Sequence, residues 1–192
     1  MNLKSCFAVF QRKRNKEAFM KLFMFLSVIS AFFLSSCTMN QRTDKIPAVK
    51  NFDVSRYLGT WYEIARYPHY FERGLKNVSA NYSSLPDGKI KVINRGINSK
   101  GKERIIEGVA FSMEPAGTGE LKVSFFRPFY GAYRIIYLSP EYDLAIITSS
   151  TKEFLWIMSR RKEITENEKE ICLEKLKLWD FSPTEIIWVK QN

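Results

Sequence analysis

The sequence predicts an all-β domain: an eight-stranded antiparallel up-and-down β-barrel with one C-terminal α-helix packed on the outside and a short final strand. Three observations predict it. Between residues 58 and 160, short runs rich in β-branched and aromatic residues alternate with tight-turn sequences, the signature of hairpin-linked strands. The first, seventh and eighth of these runs carry apolar side chains on both faces, so protein must lie on both sides of them. A single strong helix signal follows directly, placed to cover that wall from outside.

The elements justify themselves in order. Residues 51–56 lead in as a short helical turn with Asp53 as its cap. The first strand, over 58–67, is entered through Gly59, where a missing Cβ permits a sharp corner. Alternation puts Trp61, Glu63 and Ala65 on one face and Tyr62, Ile64 and Arg66 on the other. A long loop over 68–76 carries Tyr70 and Phe71. Strands are expected over 77–84, 89–95, 104–113, 121–126, 133–138, 144–149 and 154–160. Pro86-Asp87-Gly88, residues 98–101 and residues 114–119 supply turns, and 127–131 reads as an aromatic-rich loop. Thr165 and Glu168 form a capping box. The helix they open runs to about Trp179, with Ile171, Cys172, Leu176 and Trp179 on one stripe. Acidic residues in its first turn, and Lys175 and Lys177 near its end, suit the helix dipole. Residues 185–189 make the last strand. Cys172 reads as a packing residue on the helix rather than a reactive thiol.

Upstream of this domain the composition changes. The chain has 192 residues and a net charge of +10, and residues 1–36 hold half of that excess. They contain an apolar run, 22–33, preceded by basic residues and followed by small ones. The run is short of the ~20 residues a membrane span needs, and it fits a secretory signal. Met20 is an alternative start. Leu34-Ser35-Ser36-Cys37 resembles a bacterial lipobox, which implies cleavage before Cys37 and its acylation. Thr38, in place of an Asp there, points to the outer membrane of a Gram-negative envelope, facing the periplasm. Residues 37–50 read as the lipidated Cys and a flexible tether, and 51–192 as the folded domain. With the leader gone, Cys172 is the one thiol left besides Cys37, so the domain forms no internal disulfide. Loss of half the positive charge with the leader argues against nucleic-acid binding.

Gly59-Thr60-Trp61 at the first strand, together with Leu155-Trp156-Ile157-Met158-Ser159-Arg160 at the eighth, resembles the lipocalin family. The resemblance implies that Arg160 stacks on Trp61 and closes the narrow end of the barrel, with Gly59 at the corner. The family's middle motif survives loosely as Glu141-Tyr142-Asp143. The likeness covers nearly the whole mature chain and is strongest to the bacterial lipoproteins of the family. It implies a carrier of fatty acids or lysophospholipids in the cell envelope, anchored to membrane through Cys37, without a cofactor and not an enzyme, and able to form a homodimer. A lipid-modifying enzyme, or a carrier of haem or another small hydrophobic ligand, is the alternative on the same barrel.

Strand parity gives the lining independently. With Trp61 facing in, Glu63 and Ala65 follow; Ile90, Val92 and Asn94, then Leu121, Val123 and Phe125, then Phe154, Trp156 and Met158 share the inner face. The resemblance places ligand contacts at Tyr82, Asn94, Phe125 and Trp156, to which Phe111 and Tyr133 are added as neighbouring aromatics. Tyr70, Phe71, Phe129 and Tyr130, with Arg73 and Arg127, are expected around the open end, where an aromatic and basic rim suits lipid head groups. His69, the single histidine, reads as a loop residue without a placed catalytic partner. The sequence shows no metal-ligand cluster, phosphate loop or internal repeat.

Overall fold

The computed structural model describes residues 42–192. The expected leader 1–36 and the expected acylation at Cys37 lie outside the described residues. A four-residue helix α1 (Val54–Tyr57), held by the Asp53 side chain on Ser55 N–H, leads into eight strands: β1 (Gly59–Arg66), β2 (Lys76–Ser84), β3 (Ile90–Ile97), β4 (Glu103–Ser112), β5 (Glu120–Phe126), β6 (Phe129–Leu138), β7 (Leu144–Thr148) and β8 (Leu155–Ser159). Each pairs with the next in sequence, and β1 pairs with both β2 and β8. The sheet is therefore a closed up-and-down barrel, a form that leaves no exposed edge where it closes. Helix α2 (Glu166–Leu178) follows, with its Thr165–Glu168 capping box formed. The last strand, β9 (Ile187–Trp188), pairs with Ala65 and Arg66 of β1 from outside.

Two apolar layers share this wall. The inner one contains Trp61, Tyr82, Val92, Leu121, Ile135, Ile147 and Met158. The outer one, between wall and helix, contains Ile64, Ile136, Ile146 and Ile157 against Cys172, Leu176 and Phe181. Strands β7 and β8 thus contribute to both layers, which is why their sequences show no polar face. On α2 the packed stripe is Cys172, Leu176 and Trp179, and Ile171 stands outside that cluster.

Three sequence expectations change. The strand expected over 133–138 begins at Phe129, so most of the 127–131 loop is strand and the turn is confined to Arg127 and Pro128. Residues 42–50 are not a free tether. They run along the barrel, with Arg42 bridged to Thr151 and Lys50 to Thr118. Arg134 donates to the carbonyls of Thr43 and Ile46, and Thr43 and Ile46 are buried. The apolar Ile46 has a place in the outer layer, and the barrel supplies partners for the polar backbone. Finally, β1 carries a bulge between Glu63 and Ala65. One extra residue reverses the alternation beyond it, so Ala65 packs in the outer layer and Arg66 pairs opposite inward-facing Trp156.

Candidate binding site

The closed end is built first. Trp61 is fully buried, donates its indole N–H to Tyr57 O at 2.8 Å, and lies under the Arg160 guanidinium, 4.1 Å from ring centroid to Cζ. That guanidinium donates to the carbonyls of Arg56, Leu58, Thr60 and Tyr142. Gly59 has φ +95°, and a Cβ there would sit 3.2 Å from Arg160 Nη1. Glycine is therefore required both by conformation and by the closeness of the guanidinium. Above Trp61, the Tyr133 hydroxyl bonds those of Tyr57 at 2.7 Å and Tyr82 at 2.9 Å. Burial raises all three phenols above their ordinary value, Tyr82 to about 12, so this hydroxyl cluster is uncharged. Tyr82 and Tyr133 contribute to it by their ring faces.

The upper half is more open. Asn94, Val123, Phe125 and Trp156 face the barrel axis yet stay only partly buried. Inward-facing side chains that keep solvent access line a space, not a solid core. Ile106, paired with Asn94 across β3 and β4, is 38% exposed. The β4–β5 ladder registers only residues Val109 to Ser112 against Leu121 to Ser124. Where it ends, a cleft of about 280 Å³ opens, bordered by Glu107, Gly108, Ser124, Phe125 and Arg127 among others. The Phe125 ring lies across Gly108, where a Cβ would come within 2.7 Å of it. Small inward residues on β4 make this ring position possible.

That packing displaces one expected contact. Ala110 faces the inner layer, so its neighbour Phe111 falls on the outside, where it pairs with Lys122 and meets Tyr130 edge-on at 5.5 Å. Phe111 is not a lining residue. The interior next to β4 is filled by Phe125, and a second ring there would have no room. Tyr82, Asn94, Phe125, Tyr133 and Trp156 are all on the inner face.

A polar group that sequence reasoning passed over lies at the mouth. Arg66 is 3% exposed and Glu63 2%, and they form an ion pair at 2.5 Å. Arg66 Nη2 also donates to the carbonyls of Glu72 and Leu75, pinning the loop between β1 and β2. The Glu72 carboxylate accepts from Trp156 Nε1 at 3.1 Å. His69 is buried, stacked on Phe71 and Phe154 and against Trp156. Three buried atoms here have no partner: Asn94 Oδ1, Arg66 Nε and His69 Nε2. An acceptor and a cationic donor are thus buried without protein partners beside apolar walls. The sequence did hold a signal, an acid and a base three residues apart in a strand with little other polar content. Only the bulge brings them to one face.

These buried groups set a pH dependence. Burial, and next the Glu72 charge, push the Glu63 carboxyl up to about 8 against the opposing Arg66. Burial, and next Arg66, push His69 down to about 4. Glu63 stays protonated in the folded state at pH values where the unfolded carboxyl, near 4.5, has ionised, so stability falls as pH rises through this window. His69 is neutral when folded and protonated when unfolded below 6.5, so stability there falls as pH drops. The slopes oppose between pH 4.5 and 6.5, and the Glu63 slope stands alone from 6.5 to 8. Thermal melts of ligand-free protein should show Tm declining over that upper window, on the order of 1 kcal/mol per pH unit. Glu63→Gln should flatten this limb, and an unchanged slope in that variant would refute the assignment.

Residues 52–191 match the family model described as lipocalin-like domain. The chain is 43% identical over 166 residues to the outer membrane lipoprotein Blc of Citrobacter freundii, spanning 86% of this chain and 94% of that protein. It is 31% identical over 139 residues to apolipoprotein D of Mus musculus, spanning 71% of this chain and 72% of that protein. Among solved structures, insecticyanin from the tobacco hornworm Manduca sexta superimposes with a TM-score of 0.65 at 22% identity, over 77% of this chain and 85% of that one.

Proposed function

The chain belongs to the lipocalin family, and from that premise we propose that it is an envelope-anchored carrier that stores or transports fatty acids or lysophospholipids without chemically altering them. The observation that carries this reading is the upper barrel: apolar side chains that face the axis and keep solvent access, above a sealed floor. The naming of its bacterial relative as an outer membrane lipoprotein supports placement at that membrane, as does the lipobox ending at Cys37.

The energetics allow it. Each buried methylene contributes ~0.8 kcal/mol, so ten give a gross term on the order of 8 kcal/mol before association costs are subtracted. Thiol chemistry is disfavoured, because Cys172 lies under α2 in the outer layer and burial pushes its thiol up to about 12.

Tryptophan fluorescence during titration with lysophosphatidylethanolamine tests the reading. Saturable binding is expected. Trp156→Ala, which removes an inner-face ring, should weaken it at least fivefold, while Phe111→Ala on the outer face should leave it within twofold. No saturable change in the unaltered protein, together with no lipid by native mass spectrometry, would count against a carrier.

A further inference from the structure

The strap formed by residues 42–50 fixes where the chain joins the barrel. Strands β1, β3, β5 and β7 run from the closed end towards the open end, so the turn between β7 and β8 is at the mouth. The strap starts there. Arg42 bridges Thr151, Thr43 N–H donates to Ser150 O at 3.1 Å, and its hydroxyl donates to Ser149 O. It then descends the wall to Thr118, in the closed-end turn between β4 and β5. Cys37 precedes Arg42 by five residues, which span at most about 18 Å when fully extended. An acyl group on Cys37 would therefore be attached within that backbone reach of the mouth.

The surface at that end fits the same environment. Tyr70 is 85% exposed, Phe126 73%, Phe129 78% and Phe71 50%, all on loops or strand ends at the mouth. Arg73, Lys100, Lys102, Arg104 and Arg127 stand exposed around them, with Asp44, Glu103, Glu153 and Asp180 as the facing acids. Among the described residues, no large exposed apolar side chain lies on the closed-end turns 85–89, 113–119 or 139–143. Aromatic tips within a cationic ring are complementary to an anionic lipid surface. A folded water-soluble face has no such asymmetry to explain.

We infer that the open end of the barrel docks onto the surface of an anionic lipid bilayer, its aromatic tips at head-group level, so that ligand passes between bilayer and cavity without crossing open water. The anchoring half of this argument rests on the lipoprotein reading above; the exposed surface stands by itself.

The test uses the full acylated chain in phosphatidylethanolamine–phosphatidylglycerol vesicles, spin-labelled at Tyr70→Cys or Phe129→Cys at the mouth, or at Ser83→Cys near the floor. Cys172 is buried and takes no label. Mouth labels should be several-fold more accessible to oxygen than to a water-soluble nickel chelate, and the Ser83→Cys label the reverse. Immersion of the floor label, or of neither, overturns the inference. So does concentration-dependent broadening of the mouth labels without vesicles, which would assign the patch to a second copy. In a separate arm, unacylated Cys37→Ser should still sediment with these vesicles, and adding Phe71→Ser and Phe129→Ser should reduce this at least fivefold. Equal sedimentation would also overturn it. Lysophospholipid titration of the same proteins in solution separates the two readings: binding without docking refutes the orientation alone, and docking without binding refutes the carrier alone.

Discussion

Arg66→Met is expected to destabilise the fold by about 3 kcal/mol at pH 7, where Glu63 is protonated and the loss is that of a buried guanidinium's hydrogen bonds, each worth roughly 1.5–3 kcal/mol. Methionine keeps the apolar stem but withdraws the cation. Glu63 and Glu72 then remain near each other without it, and the carbonyls of Glu72 and Leu75 lose their donor. The second consequence is local. Those two carbonyls belong to the loop between β1 and β2, so residues 67–75 should exchange their amide hydrogens far faster than the rest of the barrel. Urea denaturation and hydrogen exchange measure the two effects. The double variant Glu63→Gln with Arg66→Met should lose less than the sum of the singles, because both remove the same shared hydrogen bond. Additive losses would mean that the pair acts only through packing.

Arg160→Ala should cost about 3 kcal/mol and open the floor. Four backbone carbonyls accept from this one guanidinium, and hydrogen bonds to a charged group contribute roughly 1.5–3 kcal/mol each when nothing replaces them. Arg160 is partly exposed, so water recovers some of that loss, which keeps the figure near the value of one or two such bonds. The cation–π contact over Trp61 adds ~1 kcal/mol. Arg160→Lys should rescue little, since an ammonium has neither the flat face to cover the indole nor the spread of donors to span four acceptors. A red shift in Trp61 emission in the folded state, measured with the other three tryptophans replaced by phenylalanine, is the accompanying signature. A variant that melts within 1 °C of the unaltered protein would show that the floor is held by Tyr57, Phe52 and Trp61 alone.

Much of the barrel was legible because local patterns and global folding agree in it. Alternating strands such as Ile90-Lys91-Val92-Ile93-Asn94, turn residues at Pro86-Asp87-Gly88 and the Thr165–Glu168 capping box each act over a few residues, and each occurs where expected. Doubly apolar β7 and β8 announced a wall covered on both sides, and α2 covers it. The site was legible only where parity holds unbroken, as at Asn94, Phe125 and Trp156. It failed at Phe111, because the ladder with β5 sets the phase of β4 and Gly108 and Ala110, not Phe111, turn inward to make space for Phe125. It failed again at Arg66, where one bulged residue in β1 turns a charged side chain from the outer face to the inner.

By itself the sequence determined the strand count, the covering helix and a greasy inner face, since each follows from short-range periodicity, while the corner of Gly59, Trp61 and Arg160 was legible only through the family resemblance. Tertiary structure alone decided that residues 42–50 strap the wall from the mouth downward and that Glu63 and Arg66 meet inside. Those arrangements depend on hydrogen bonds between segments roughly 90–110 residues apart, such as Thr43 to Ser150 or Arg134 to Thr43, and on a register shift of one residue. Neither leaves a local trace, because the free energy that selects them comes from partners that only the closed barrel brings within reach.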